Sequence, residues 1–137
     1  MVKFLAGLKG EGKTRIIINM ANEDVKVTDG TVVFIDDDKR HIHDIHRDIR
    51  FVETGKGLLA NYREFIGFLL GILSQNSDIQ HIYVDGLTNI VTDINNESLL
   101  KLKAKLDTIC KEYHTNFTIA MHCDRNALPD EIKVALV

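Results

Sequence analysis

Short apolar runs alternate with stretches of helical period along the chain, and this alternation is the signature of an α/β domain with a mostly parallel sheet. Val2 to Ala6 reads as a first strand and Thr14 to about Glu23 as a first helix. Asp29-Gly30 turns the chain into Thr31 to Asp36, a β-branched run suited to a strand buried on both faces. A shorter strand is expected at Ile49 to Glu53, closed by a loop with Gly55 and Gly57. From Asn61 to Ser74, Tyr62, Phe65, Ile66, Leu69, Leu70 and Leu73 recur at helical spacing, and Phe68 and Ile72 widen that face toward deep burial. Ile79 to Asp85 is another strand. Glu97 to Tyr113 is an amphipathic helix with Leu99, Leu102, Leu106 and Ile109 inward and Lys101, Lys103 and Lys105 mostly on a solvated face. Asn116 to His122 is the last strand, and a short terminal helix is expected from Pro129 to Leu136.

A length of 137 residues suits one domain spanning 1–137. The net charge of −3 gives no global electrostatic reason to expect a nucleic-acid partner. The longest apolar stretch, Phe65 to Leu73, falls well short of a membrane span, and Val2 to Ala6 is too short for a secretory signal. Cys110 and Cys123 lack CxxC spacing and read as free thiols in a reducing compartment, so the expected location is cytoplasmic.

Against that background the stretch Gly7-Leu8-Lys9-Gly10-Glu11-Gly12-Lys13-Thr14 changes the picture. It fits G-x-x-x-x-G-K-[ST] without a mismatch, after a predicted strand and before a predicted helix. Glycines let the backbone wrap around phosphate oxygens, and successive N–H groups at the start of the helix, continuing to Arg15, form an anion nest. Lys13 is expected to reach the outer phosphates and the Thr14 hydroxyl to ligate magnesium. Asp85, at the end of the apolar run Ile82-Tyr83-Val84, is the expected second magnesium residue, acting through water or through Thr14. The residue after it is Gly86, which has no side chain to serve as a base. The other place for one is the end of the strand VVFIDDDKR, where Asp36, Asp37 and Asp38 face the same sheet edge as the loop.

The order strand, phosphate loop, helix, then F-I-D-x-acid, then I-Y-V-D-G-L-T-N, then a strand ending in a polar residue resembles the RecA-like, additional-strand branch of P-loop ATPases. That resemblance implies a three-layer P-loop NTPase fold with a mostly parallel five-stranded sheet, and ATP with Mg²⁺ as ligands. In that branch an acid two places after the F-I-D aspartate orients the attacking water, and the matching residue is Asp38. A polar sensor at the end of the following strand matches His122. The run P-loop, VVFIDDD, IRF, VDGL, FTI and CD is also similar to short bacterial P-loop proteins usually labelled only as ATP-binding, and sometimes as twitching-motility ATPases.

His41, His43 and His46 carry zinc-type donors, but no single regular structure gathers all three, so a metal site would need a loop. Guanine recognition would call for N/T-K-x-D after a strand, and Cys123-Asp124-Arg125-Asn126 does not match. The expectation is a single P-loop nucleotide-binding domain that binds ATP·Mg²⁺ and hydrolyses it slowly, or when a protein partner or self-association activates it. The alternatives are a non-hydrolytic nucleotide-dependent protein-binding module and a small-molecule phosphotransferase.

Overall fold

The computed structural model describes residues 1–10 and 12–137; Glu11, named above with the glycine-rich loop, lies outside the described residues. Strands β1 (Val2–Gly7), β2 (Thr31–Asp36), β3 (Arg50–Glu53), β4 (Ile79–Val84) and β5 (Asn116–His122) form one all-parallel sheet in the order β1-β5-β4-β2-β3. The helices are α1 (Lys13–Val27), α2 (Tyr62–Gln75), α3 (Leu87–Ile90), α4 (Asn96–Tyr113) and α5 (Asp130–Lys133).

Successive strand side chains point to opposite faces, and the chain uses this alternation to build two cores. Val33, Ile35, Ile82, Val84, Ile119 and Met121 join Phe65, Leu69 and Leu73 of α2 and Leu99, Leu102 and Leu106 of α4. Their sequence neighbours Val32, Phe34, Tyr83 and Ala120 meet Ile17, Ile18 and Ala21 of α1, with Ile45 and Ile49 from the segment after β2. The sheet is therefore covered by α2 and α4 on one face and by α1 on the other. The two amphipathic helices open on side-chain caps. Asn61 accepts from Glu64 N–H at 3.0 Å, and Asn95 and Ser98 form a reciprocal capping box.

Two boundaries differ from the sequence expectation for tertiary reasons. Helix α1 runs on to Val27, because Asp24 in its last turn is fixed from outside. Its Oδ2 accepts from Tyr83 Oη at 2.7 Å, and its Oδ1 accepts from Thr28 Oγ1 at 2.5 Å. The terminal helix is a single turn, Asp130–Lys133, in place of Pro129 to Leu136. Beyond it the free edge of β1 takes the chain into extended pairing: Phe4 N–H donates to Ala135 O at 2.9 Å and Val137 N–H donates to Phe4 O at 2.8 Å. Among the described residues no helix is long and apolar enough to cross a membrane.

A polar network closes the sheet end remote from the glycine-rich loop. His81 stacks on Tyr83 with ring centroids 4.0 Å apart, its Nε2 lies 2.8 Å from Thr118 Oγ1, and its Nδ1 lies 3.1 Å from Asp24 Oδ2. Burial pushes the imidazole down from 6.5 to about 4, against the opposing pull of the Asp24 carboxylate. The unfolded chain therefore binds the proton more readily. The stabilisation is complete above about pH 6.5 and drains away as pH falls toward about 4, by at most about 3 kcal/mol. In urea unfolding at pH 7 and pH 5, His81→Gln is expected to lose part of the wild-type pH dependence. Parallel slopes in the two proteins would refute this account.

Candidate functional site

Ligands of open parallel sheets collect beyond the C-terminal strand ends, where neighbouring strands send their following helices to opposite faces. Here β1 leads into α1 on one face while its neighbour β5 leads into α5 on the other, the face that also takes α3 and α4 after β4. A cleft of about 490 Å³ opens at that place, with walls that include Lys9, Lys13, Thr14, Arg40, Asp85 and His122.

Its floor is held by backbone pairing. Gly7 and His122 are register partners in β1 and β5, and Cys123 N–H donates to Gly7 O at 3.1 Å. Asp85 N–H donates to Ile35 O at 2.9 Å and Gly86 N–H to Ala120 O at 3.1 Å, so the ends of β2, β4 and β5 are stitched together. Gly12 and Gly86 both have φ of 77°, in the left-handed region that a side chain disfavours. Gly12 is the residue before α1 and offers that helix no side-chain cap, and the first turn of α1 contains no acid. The helix N-terminus thus faces the cleft as an anion-favouring end.

Around this opening Lys13 donates from Nζ to Leu8 O at 3.0 Å, which lays its ammonium along the loop. The next residue, Thr14, lines the cleft with Asp85. Asp85 is 7% exposed, and burial raises its pKa; the Thr14 side chain and the His41 and Lys13 charges oppose that rise. Asp36 is 4% exposed and accepts from Asp37 N–H at 2.7 Å. Burial pushes its carboxyl up to about 8, helped by the Asp37 side chain and the Asp85 charge. A buried pair of acids beside a hydroxyl, all oxygen donors, suits a hard divalent cation that would relieve their repulsion. Thr14 and Asp85 line the cleft and would be the residues to hold such a cation; Asp36 does not line it.

The other residues singled out by sequence are placed as follows. Gly10 joins Gly12 in the cleft wall with positive φ, while Leu8 is half exposed. Arg15 lies on the far side of Thr14, in a second cleft of about 550 Å³ with Asn19, Asn22, His41 and Asp44. His122 is exposed at the end of β5 and borders the main cleft. Asp38 does not border that cleft: its Oδ1 accepts from Arg40 N–H and its Oδ2 from the Arg40 guanidinium, each at 2.9 Å. These Arg40 hydrogen bonds and charge hold its carboxyl below the usual carboxylate range. Arg40 itself borders the cleft; so do Thr88 and Asn89, which follow Gly86. The DDDKR run carried a signal for Arg40 in its basic end, but spacing could not say which side chain turns inward.

Asp36, Asp37 and Asp38 present ligand atoms within 4.8 Å of one another, and among the described residues no such group includes His41, His43 or His46. His41 Nδ1 faces Asp44 at 3.6 Å, His46 Nδ1 accepts from Asp48 N–H at 3.1 Å, and His43 is exposed. Cys110 is buried and Cys123 partly so, both as free thiols. Compared with known proteins, the chain matches no family model and no curated sequence.

Proposed function

We propose that this chain is a RecA-like P-loop domain that binds ATP with magnesium and hydrolyses it slowly unless a partner accelerates it. One observation carries the reading. Strand β5 lies between β1, which leads into the glycine-rich loop, and β4, which leads into Asp85, so one cleft gathers Lys13, Thr14, Asp85 and His122 across an intervening strand. An extra strand between those two is what supports the additional-strand reading.

Within this reading the loop amides and Lys13 neutralise phosphate charge, and Thr14 and Asp85, backed by Asp36, would hold the magnesium ion. Magnesium would supply Lewis-acid polarisation of phosphate oxygens. His122 borders the cleft beside them and is placed to hydrogen-bond the terminal phosphate. Slow unaided turnover follows from the carboxylates on hand: Asp38 is occupied by Arg40, and Gly86 supplies no side chain next to Asp85.

The test is single-turnover consumption of ATP by the pure protein, with Lys13→Ala as control. Wild-type turnover faster than the variant is expected; equal rates despite measurable ATP binding would remove the hydrolytic part. Asp38→Asn is expected to slow turnover by less than about tenfold, since a water-activating base contributes on the order of a hundredfold or more. A hundredfold loss at unchanged ATP affinity would return the base role to Asp38.

A non-hydrolytic binding module is the second reading, favoured by the segment after β2. Asn22 Nδ2 donates to Asp44 O and His46 N–H donates to Asn22 Oδ1, each at 2.9 Å. The segment's far end is thereby tied to α1 while Arg40 stays exposed at the cleft wall. Contacts from a bound nucleotide to this segment would alter the surface offered to a partner protein.

A further inference from the structure

We infer that Arg40 is an in-chain cation for the terminal phosphate of the bound triphosphate, a role that rests on the ATP-binding reading above. Arg40 is the fourth residue beyond β2, and its side chain borders the same cleft as Lys13, Thr14, Asp85 and His122. In sheet order β2 stands three strands from β1, with β5 and β4 between. Lys13 and Arg40 therefore approach the cleft from opposite ends. A phosphate chain anchored in the loop at the β1 end meets Arg40 with its outermost group, past the Asp85 wall.

The residue is also held for the task. Asp38 accepts from the backbone N–H and from the guanidinium of Arg40, both at 2.9 Å, so one carboxylate grips the root and the head of the side chain. That grip engages the NH2 nitrogen and leaves other donors of the planar fork available to phosphate oxygens. The Arg40 side chain is 73% exposed, and its main ion pair is this local one, so turning toward a ligand breaks no core packing. Asp38 acts here as a positioning residue, where the family resemblance had implied a water-orienting one. An arginine that meets transition-state charge, supplied within the chain or by a partner, is a recurrent device of phosphoryl transfer. Here it would also distinguish triphosphate from diphosphate, because only the longer chain extends to it.

The experiment measures dissociation constants for ADP and for the β,γ-imido analogue of ATP, each with magnesium, in wild type, Arg40→Ala and Arg40→Lys. Arg40→Ala is expected to weaken the imido analogue by roughly tenfold or more and ADP by less than about twofold, with Arg40→Lys between wild type and alanine. An equal loss for both nucleotides, or no loss for either, would overturn the assignment. Circular dichroism of each variant checks that the fold is retained. Wild-type protein that binds neither nucleotide would instead strike down the ATP-binding reading, and this inference with it.

Discussion

Lys13→Ala is expected to weaken ATP binding by roughly a hundredfold and to abolish detectable single-turnover hydrolysis, while leaving the fold in place. The expected loss is large because the ammonium would make charge-assisted bonds to two phosphates at once, each worth about 1.5–3 kcal/mol. The fold is expected to survive because Lys13 is only partly buried and its ammonium donates to Leu8 O at the surface. Its removal should change unfolding free energy by less than about 0.5 kcal/mol. Calorimetric titration with ATP and magnesium, run beside urea unfolding, measures both quantities. Equal ATP affinity in wild type and variant would overturn the phosphate-binding role of the loop.

The second large effect is expected at Asp36, and it runs in opposite directions for stability and function. Its carboxyl is lifted from 3.8 to about 8, first by burial, then by Asp37 and by the Asp85 charge. The folded state holds this proton more tightly than the unfolded chain. The corresponding stabilisation is complete below about pH 3.8 and is lost as pH rises through about 8. Asparagine is nearly isosteric, cannot ionise, and keeps an oxygen for the Asp37 N–H. Asp36→Asn is therefore expected to be more stable than wild type at pH 8.5 in a chelating buffer, by about 2 kcal/mol or more, with the gap closing toward pH 4. With the proposed magnesium bound the order should reverse, because a divalent cation between the acids stabilises wild type in a way that a neutral amide cannot match. Urea midpoints at pH 4, 6 and 8.5, with and without millimolar magnesium, measure this. A variant less stable than wild type at pH 8.5 without the metal would refute the repulsion account.

The legible part of this protein was whatever depends on local pattern. The run Asn116 to His122 reads as a strand and is one, because a mostly apolar β-prone stretch has few other ways to be buried. The helical recurrence of Phe65, Leu69 and Leu73 likewise placed α2. The ends were less legible where remote partners set them. Helix α1 gains its last turn from Tyr83, far along the chain, and the terminal residues leave helix for the open edge of β1.

At the candidate site the same division holds. The loop spacing and the strand-end Asp85 were readable because each is a local arrangement of residue types beside a predicted strand. Three adjacent aspartates offered no local means of ranking themselves. Alternation on β2 buries Asp36 with the strand, while Asp38, two residues farther into the loop, meets Arg40. The histidines of residues 41–46 were similarly open by spacing, and the folded segment turns His41 to Asp44 and His46 to Asp48 while His43 stays exposed.

By itself, then, the sequence determined an α/β chain with a glycine-rich loop between its first strand and first helix, since backbone freedom and hydrophobic period are properties of neighbouring residues. Tertiary structure alone decided the strand order β1-β5-β4-β2-β3, the burial of Asp36 beside Asp85, and the entry of Arg40 into the cleft. Those depend on which distant segments share a face and on what water is excluded from between them. No stretch of neighbouring residues records that.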